Sequence, residues 1–260
     1  MDNRINKLFQ NKNKNILSIY FTAGFPKLDD TNLIINELEN NNVDLIEIGM
    51  PFSDPLADGP IIQRSSEIAL NNGMSINLLF KQLSNSKIKT SATPFLLMGY
   101  LNPILQYGIE KFCSNASELG IDGLILPDLP MMEYLDSYKI IFDKYNLKNI
   151  FLICPQTSEK RIRLIDEHSN GFIYMVSSSS TTGGNKEINI EQENYFQRIK
   201  SMKLKNPIII GFGISNKDTF YKACQFANGA IIGSAFIKAI EKSENIKIDI
   251  EKFTNSINFI

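Results

Sequence analysis

Histidine is almost missing from this chain. Its one copy, His168, stands in Asp166-Glu167-His168-Ser169-Asn170, just ahead of a predicted strand. In an α/β barrel that is the N-terminal rim, away from the strand ends that carry chemistry. Proton transfer near neutral pH must then fall to carboxylates or tyrosines. Lysine is absent from the C-terminal half of every predicted strand. The nearest, Lys27, lies beyond the Gly24-Phe25-Pro26 turn. A Schiff-base aldolase mechanism therefore lacks its nucleophile. Cysteine is scarce: Cys113, Cys154 and Cys224 are far apart, with no metal spacing and no Cys-x-x-Cys. They are expected to be reduced thiols, with Cys154 a small filler after a strand. No His/carboxylate cluster suggests a metal.

Excess charge is missing as well. The net charge is -1, and no run of like charge forms a tail or patch. That argues against nucleic acid as a partner. No apolar run is long enough to cross a bilayer, and Met1–Asn15 has no run of signal-peptide type. No membrane is expected, and the cytoplasm is the expected compartment.

What is present is a regular alternation. Short apolar runs occur at 16–22, 43–49, 94–99, 123–126, 149–153, 172–176, 208–210 and 230–232. Amphipathic helical segments follow each of them, and residues 2–10 form an extra N-terminal helix. Strand–helix alternation means parallel strands joined by helical crossovers. Eight such units in 260 residues predict one domain over 1–260, a single eight-stranded parallel β/α (TIM) barrel. The alternative, an open doubly wound sheet, would carry its Gly-rich turn after the first strand. Here the Gly-rich turns come after the sixth, seventh and eighth.

The most informative stretch is Val43–Gly59, VDLIEIGMPFSDPLADG. Glu47 lies inside a strand between Ile46 and Ile48, where a charge is costly unless paired or used. The loop after Gly49 and Pro51 adds Asp54 and Asp58. A satisfied structural Glu and a catalytic acid are equally open from this stretch alone. Glu47 and Asp58 are the leading acid–base pair, and the apolar strand should raise the pKa of Glu47. Asp54, beside Ser53 and Pro55, reads as a loop-fixing acid.

Three turns at the same rim are rich in small residues: Thr182-Gly183-Gly184, Gly211-Phe212-Gly213-Ile214-Ser215 and Gly233-Ser234. Glycine lets backbone N–H groups approach an anion, and a helix beginning at Ser234 adds its positive end. Together they point to a phosphate-bearing ligand. Tyr20, Tyr100 and Tyr174 fall near strand ends, and with Phe21, Met98 and Phe212 they could wall an aromatic ligand, Tyr100 and Tyr174 foremost.

The run Ile46–Gly59, IEIGMPFSDPLADG, resembles the signature of the tryptophan synthase α subunits. Phe21–Pro26, Met98–Pro103, Pro127–Pro130, Gly211–Ile214 and Gly233–Ala235 stand in the same family's order, so the likeness spans the chain. The resemblance implies cleavage of indole-3-glycerol phosphate to indole and glyceraldehyde 3-phosphate. It implies no cofactor in this chain. It also implies a β-subunit partner that holds pyridoxal phosphate, in an α2β2 tetramer. By the same resemblance Glu47 matches the catalytic acid–base and Asp58 the second carboxylate. Tyr174 and Thr182 match positions that support them, and Gly183, Phe212, Gly213, Gly233 and Ser234 match the phosphate site. The chain departs in Ser177–Gly183, SSSSTTG, where serines at Ser178 and Ser180 replace the family's arginine and first glycine. That bears on loop closure and on signalling to the partner. Apolar groups at Pro51–Pro55 and in the 99–105 loop, Leu101, Pro103 and Leu105 among them, are expected to be exposed as a docking surface. Two other readings compete: a different phosphosugar barrel, and a non-catalytic subunit kept to activate a partner.

Overall fold

A computed structural model describes residues 3–177, 188–211 and 213–257. Eight parallel strands close on themselves in chain order: β1 (Ile16–Thr22), β2 (Leu45–Gly49), β3 (Phe95–Met98), β4 (Gly123–Ile125), β5 (Lys148–Ile153), β6 (Ile173–Val176), β7 (Ile208–Gly211) and β8 (Gly229–Ile232). The expected barrel is the observed one. Most strands are buried along their whole length, as strands covered on both faces must be. That is why they are near-continuous apolar runs in the sequence.

The helices are α1 (Arg4–Asn11), α2 (Thr31–Asn40), α3 (Pro60–Asn71), α4 (Ile76–Leu83), α5 (Leu101–Tyr107) and α6 (Ile109–Leu119). Then come α7 (Met131–Glu133), which runs through a widened turn at Tyr134–Tyr138 into α8 (Lys139–Lys144), and α9 (Glu159–His168). Last are α10 (Ile190–Ser201), α11 (Lys217–Cys224), α12 (Ser234–Ile240) and α13 (Ile246–Ile257). Their starts are chemically marked. Asn3, Ser75 and Ser158 accept from backbone N–H groups of the first turn, and Asn189 with Gln192 forms a reciprocal pair. Gly120, at φ +88°, ends α6 in the left-handed region.

The N-terminal helix is tied to the N-terminal rim of the barrel. Arg4 bridges Asp122 at 2.8 Å and donates to the carbonyls of Ile88, Ser91 and Gly120. Asp122 also accepts from Phe95 N at 2.8 Å. One ion pair thus ties α1 to the starts of β3 and β4. His168 ends α9 at this same rim, as its sequence position implies.

Two helices were not anticipated. α5 begins at Leu101, despite Pro103, because Asp128 accepts from Leu101 N at 3.0 Å across the β4 turn. α13 buries Ile246, Ile250 and Ile257, and its Phe253 meets Phe236 with ring centroids 5.4 Å apart.

Candidate active site

Cross-strand partners in a parallel sheet share a face. The register Tyr20↔Glu47↔Leu96 therefore turns all three into the barrel. Glu47 is fully buried. Its Oε1 accepts from Ser18 Oγ at 2.7 Å, and its Oε2 is buried with no hydrogen-bond partner among the described residues. Burial pushes the carboxyl up from its ordinary 4.5 to about 8, a rise the Ser18 bond opposes only in part. At neutral pH Glu47 is mainly the protonated acid.

Asp58 follows in the loop between β2 and α3 and is buried. Its Oδ2 accepts from the Tyr100 hydroxyl at 2.9 Å, and that hydroxyl accepts from Ala57 N at 3.0 Å. The phenol ties the β3 end to the β2 loop, and Phe52 packs on its ring with centroids 5.2 Å apart. Burial lifts Asp58 from 3.8 to about 6, with the Tyr100 bond holding it back. The two acids are thus set apart. At neutral pH one is a proton donor and the other an anion. Asp54 is exposed and bonded to Ser53, in keeping with a loop-fixing role.

Tyr174, on β6, is buried in the barrel and lies over Gly211, where any Cβ would overlap its phenol. Tyr20 has the same relation to Gly49. Burial raises both phenols, and the fields of Glu47 and Asp58 raise both further. Two acids and two tyrosines therefore share one chamber. Phe21 does not: next to an inward Tyr20, it faces outward, fully buried in the layer between barrel and helices. Ser18 is not among the expected site residues, and Tyr20 is expected only as a wall of the ligand pocket. Their signal is the alternation in ILSIYFT, where Ser18, Tyr20 and Thr22 form one polar face.

Of the expected phosphate turns, Gly213 has φ +76°, a conformation that disfavours a side chain. Gly233 leads into Ser234, the first residue of α12. A Cβ on Gly233 would sit 3.4 Å from the Tyr20 ring, so this turn borders the chamber. Thr182, Gly183 and Phe212 lie outside the described residues, as do Ser178 and Ser180.

The apolar rim is less exposed than expected. Leu101 is buried, because it opens α5 rather than a loop. Leu56, Leu105 and Met132 are exposed at 89%, 44% and 55%, while Pro51, Phe52, Pro55 and Pro103 are half-buried.

Residues 7–258 match the family model described as "Tryptophan synthase alpha chain". The chain is 60% identical over 246 residues to the tryptophan synthase alpha chain of Flavobacterium johnsoniae, covering 95% of this chain and 96% of that one. It is 58% identical over 255 residues to the protein of that name from Flavobacterium psychrophilum, covering 98% and 99%. Among solved structures, the tryptophan synthase alpha chain of Legionella pneumophila superposes with a TM-score of 0.88 at 33% identity, over 99% of this chain and 96% of that one.

Proposed function

The chain belongs to the tryptophan synthase alpha chain family, and we propose that Glu47 and Asp58 are the two carboxylates through which it works. Its reaction is the lyase step that cleaves indole-3-glycerol phosphate to indole and glyceraldehyde 3-phosphate in tryptophan biosynthesis. Its partner is the tryptophan synthase β subunit, with which it forms a heterotetramer.

The chemistry is a retro-aldol cleavage. Indole C3 takes a proton and the ring becomes an indoleninium-like cation. The side-chain hydroxyl next to the breaking bond loses its proton, the carbon–carbon bond cleaves, and its electron pair returns to the ring. One proton is added and one removed, so one group can do both. Glu47, protonated at neutral pH by burial, gives the first and recovers the second. Asp58, ionised near neutrality, accepts from the indole N–H and opposes the positive charge that develops on the ring. That charge exists only on the way to products, so the interaction contributes to rate rather than to ground-state binding. Tyr100 keeps the Asp58 carboxylate in place. Tyr174 walls the ligand, and Thr182 supports the acids. The turns with Gly183, Phe212, Gly213, Gly233 and Ser234 hold the phosphate.

The observation that carries this reading is a pair of buried carboxyls beside one chamber, Glu47 bonded to Ser18 and Asp58 bonded to Tyr100. Residues 1–260 act as one barrel domain, and the compartment is the cytoplasm. No cofactor is assigned to this chain, since acid, base and anion are all side chains. Pyridoxal phosphate is assigned to the β subunit. Exposed Leu56, Leu105 and Met132 at the catalytic rim suit that partner. The test is indole release by Glu47→Gln and Asp58→Asn, each with and without the β subunit. Each variant should lose about a hundredfold or more. Near-normal turnover by either removes it from the pair.

A further inference from the structure

β1 presents a hydroxyl inside the barrel where its surroundings call for a hydrocarbon. Ser18 is fully buried, and its cross-strand neighbours are Leu45 on β2 and Ile231 on β8. A buried hydroxyl is costly unless it is bonded. Ser18 Oγ has one bond among the described residues, to Glu47 Oε1 at 2.7 Å. Packing alone does not ask for this oxygen, since alanine would fill the position.

The bond has a geometric consequence for the acid. Ser18 sits one barrel layer nearer the N-terminal end than Glu47, because Tyr20, two residues on, is the residue paired with Glu47. The hydroxyl donates, so Oε1 is occupied as an acceptor. A protonated carboxyl then carries its hydrogen on the other oxygen. That oxygen, Oε2, is the one buried without a partner among the described residues.

We propose that Ser18 is a positioning residue for the cleavage reaction: its hydroxyl holds Oε1 of Glu47 and so reserves Oε2 as the oxygen that delivers and recovers the proton. The proposal rests on Glu47 being the acid–base of the reaction. Ser18 itself touches no reacting atom. The titratable groups facing Glu47 are Tyr20 from β1 and Tyr174 from β6, with Asp58 acting on both phenols; β3 presents only Leu96. Neither phenol ionises near neutrality, so Ser18 is the adjustable influence on the acid. Its bond favours the carboxylate, and its removal raises the proton affinity of Glu47 further.

The experiment compares Ser18→Ala and Ser18→Thr with the unaltered chain, each in complex with the β subunit. Indole release is followed across pH. Activity needs protonated Glu47, so it falls as pH rises through that group. In Ser18→Ala this alkaline limb should move up by about one pH unit. Plateau kcat should fall about tenfold, with KM within about twofold, because an unheld acid aims poorly but substrate contacts remain. Ser18→Thr keeps the hydroxyl and should return the limb to its original position. Infrared difference spectra against Glu47→Gln should show the protonated-carboxyl band persisting to higher pH in Ser18→Ala. An unmoved limb and band in Ser18→Ala, a change confined to KM, or a limb that Ser18→Thr does not restore would each overturn the proposal. Full turnover by Glu47→Gln would instead refute the underlying site reading, and the infrared band would still report whether Ser18 governs the proton on residue 47.

Discussion

Replacing Glu47 by glutamine should cut turnover about a hundredfold or more and stabilise the fold. The amide has nearly the shape of the acid and can keep the Ser18 bond, so packing is preserved. What is removed is an ionisable group. Burial places the folded-state pKa of Glu47 at about 8, above its ordinary 4.5. Between those values the folded state binds the proton more tightly than the unfolded chain. Stability is therefore greatest below pH 4.5, declines as pH rises, and levels off above 8. At about 1.36 kcal/mol per unit, the decline reaches on the order of 3 kcal/mol at pH 7 and on the order of 4 kcal/mol at pH 8. Glutamine has no such decline. With about 2 °C per kcal/mol for a chain of this size, the variant should melt about 2 °C above the parent at pH 5 and about 6 °C above it at pH 7. Other titrating groups are common to both proteins and cancel. Thermal unfolding followed by circular dichroism at pH 5, 6, 7 and 8 provides the test. A gap that does not widen with pH, or a variant less stable throughout, would show that Glu47 is not held as a neutral acid. Opposite signs in stability and activity mark a group kept for chemistry rather than for the fold.

The pH profile of kcat should be bell-shaped, rising as Asp58 ionises near 6 and falling as Glu47 deprotonates near 8. Tyr100→Phe removes a bond that favours the Asp58 carboxylate, so the acid limb should move to higher pH while the alkaline limb stays; movement of the alkaline limb instead would refute the pairing. At the other end of the barrel, Arg4→Met should leave Asp122 buried without its cation. The expected cost is about 3 kcal/mol, seen as a Tm lower by about 6 °C, with kcat at 25 °C within about twofold because the clamp is remote from Glu47. Equal Tm values would show that the clamp contributes nothing.

Much of this molecule was legible before any coordinates. Barrel strands are buried on both faces, so each is a short apolar run, and each crossover helix carries a stripe at helical spacing. Glu47 is legible as a candidate because a charge between Ile46 and Ile48 must be paired or used. The turn at Gly233-Ser234 was legible for a similar reason, since glycine before a helix start has a narrow set of uses. Less was visible where partners lie far apart. α5 covers a stretch expected as an exposed loop, because its cap, Asp128, comes from another turn. α13 carried no assignment, since Ile246, Ile248 and Ile250 repeat at strand spacing inside a helix.

By itself the sequence determined the barrel and singled out Glu47 and Asp58 as candidate acids, both of which follow from local patterning and residue type. Only the tertiary structure decided how those acids are tuned. Ser18 reaches Glu47 across 29 residues of chain, and Tyr100 reaches Asp58 across 42. Those contacts depend on the register between strands, which no periodicity within one strand records. Burial of both carboxyls, and the division into one acid and one anion, follows from that register, because desolvation belongs to the closed chamber and not to any residue in it.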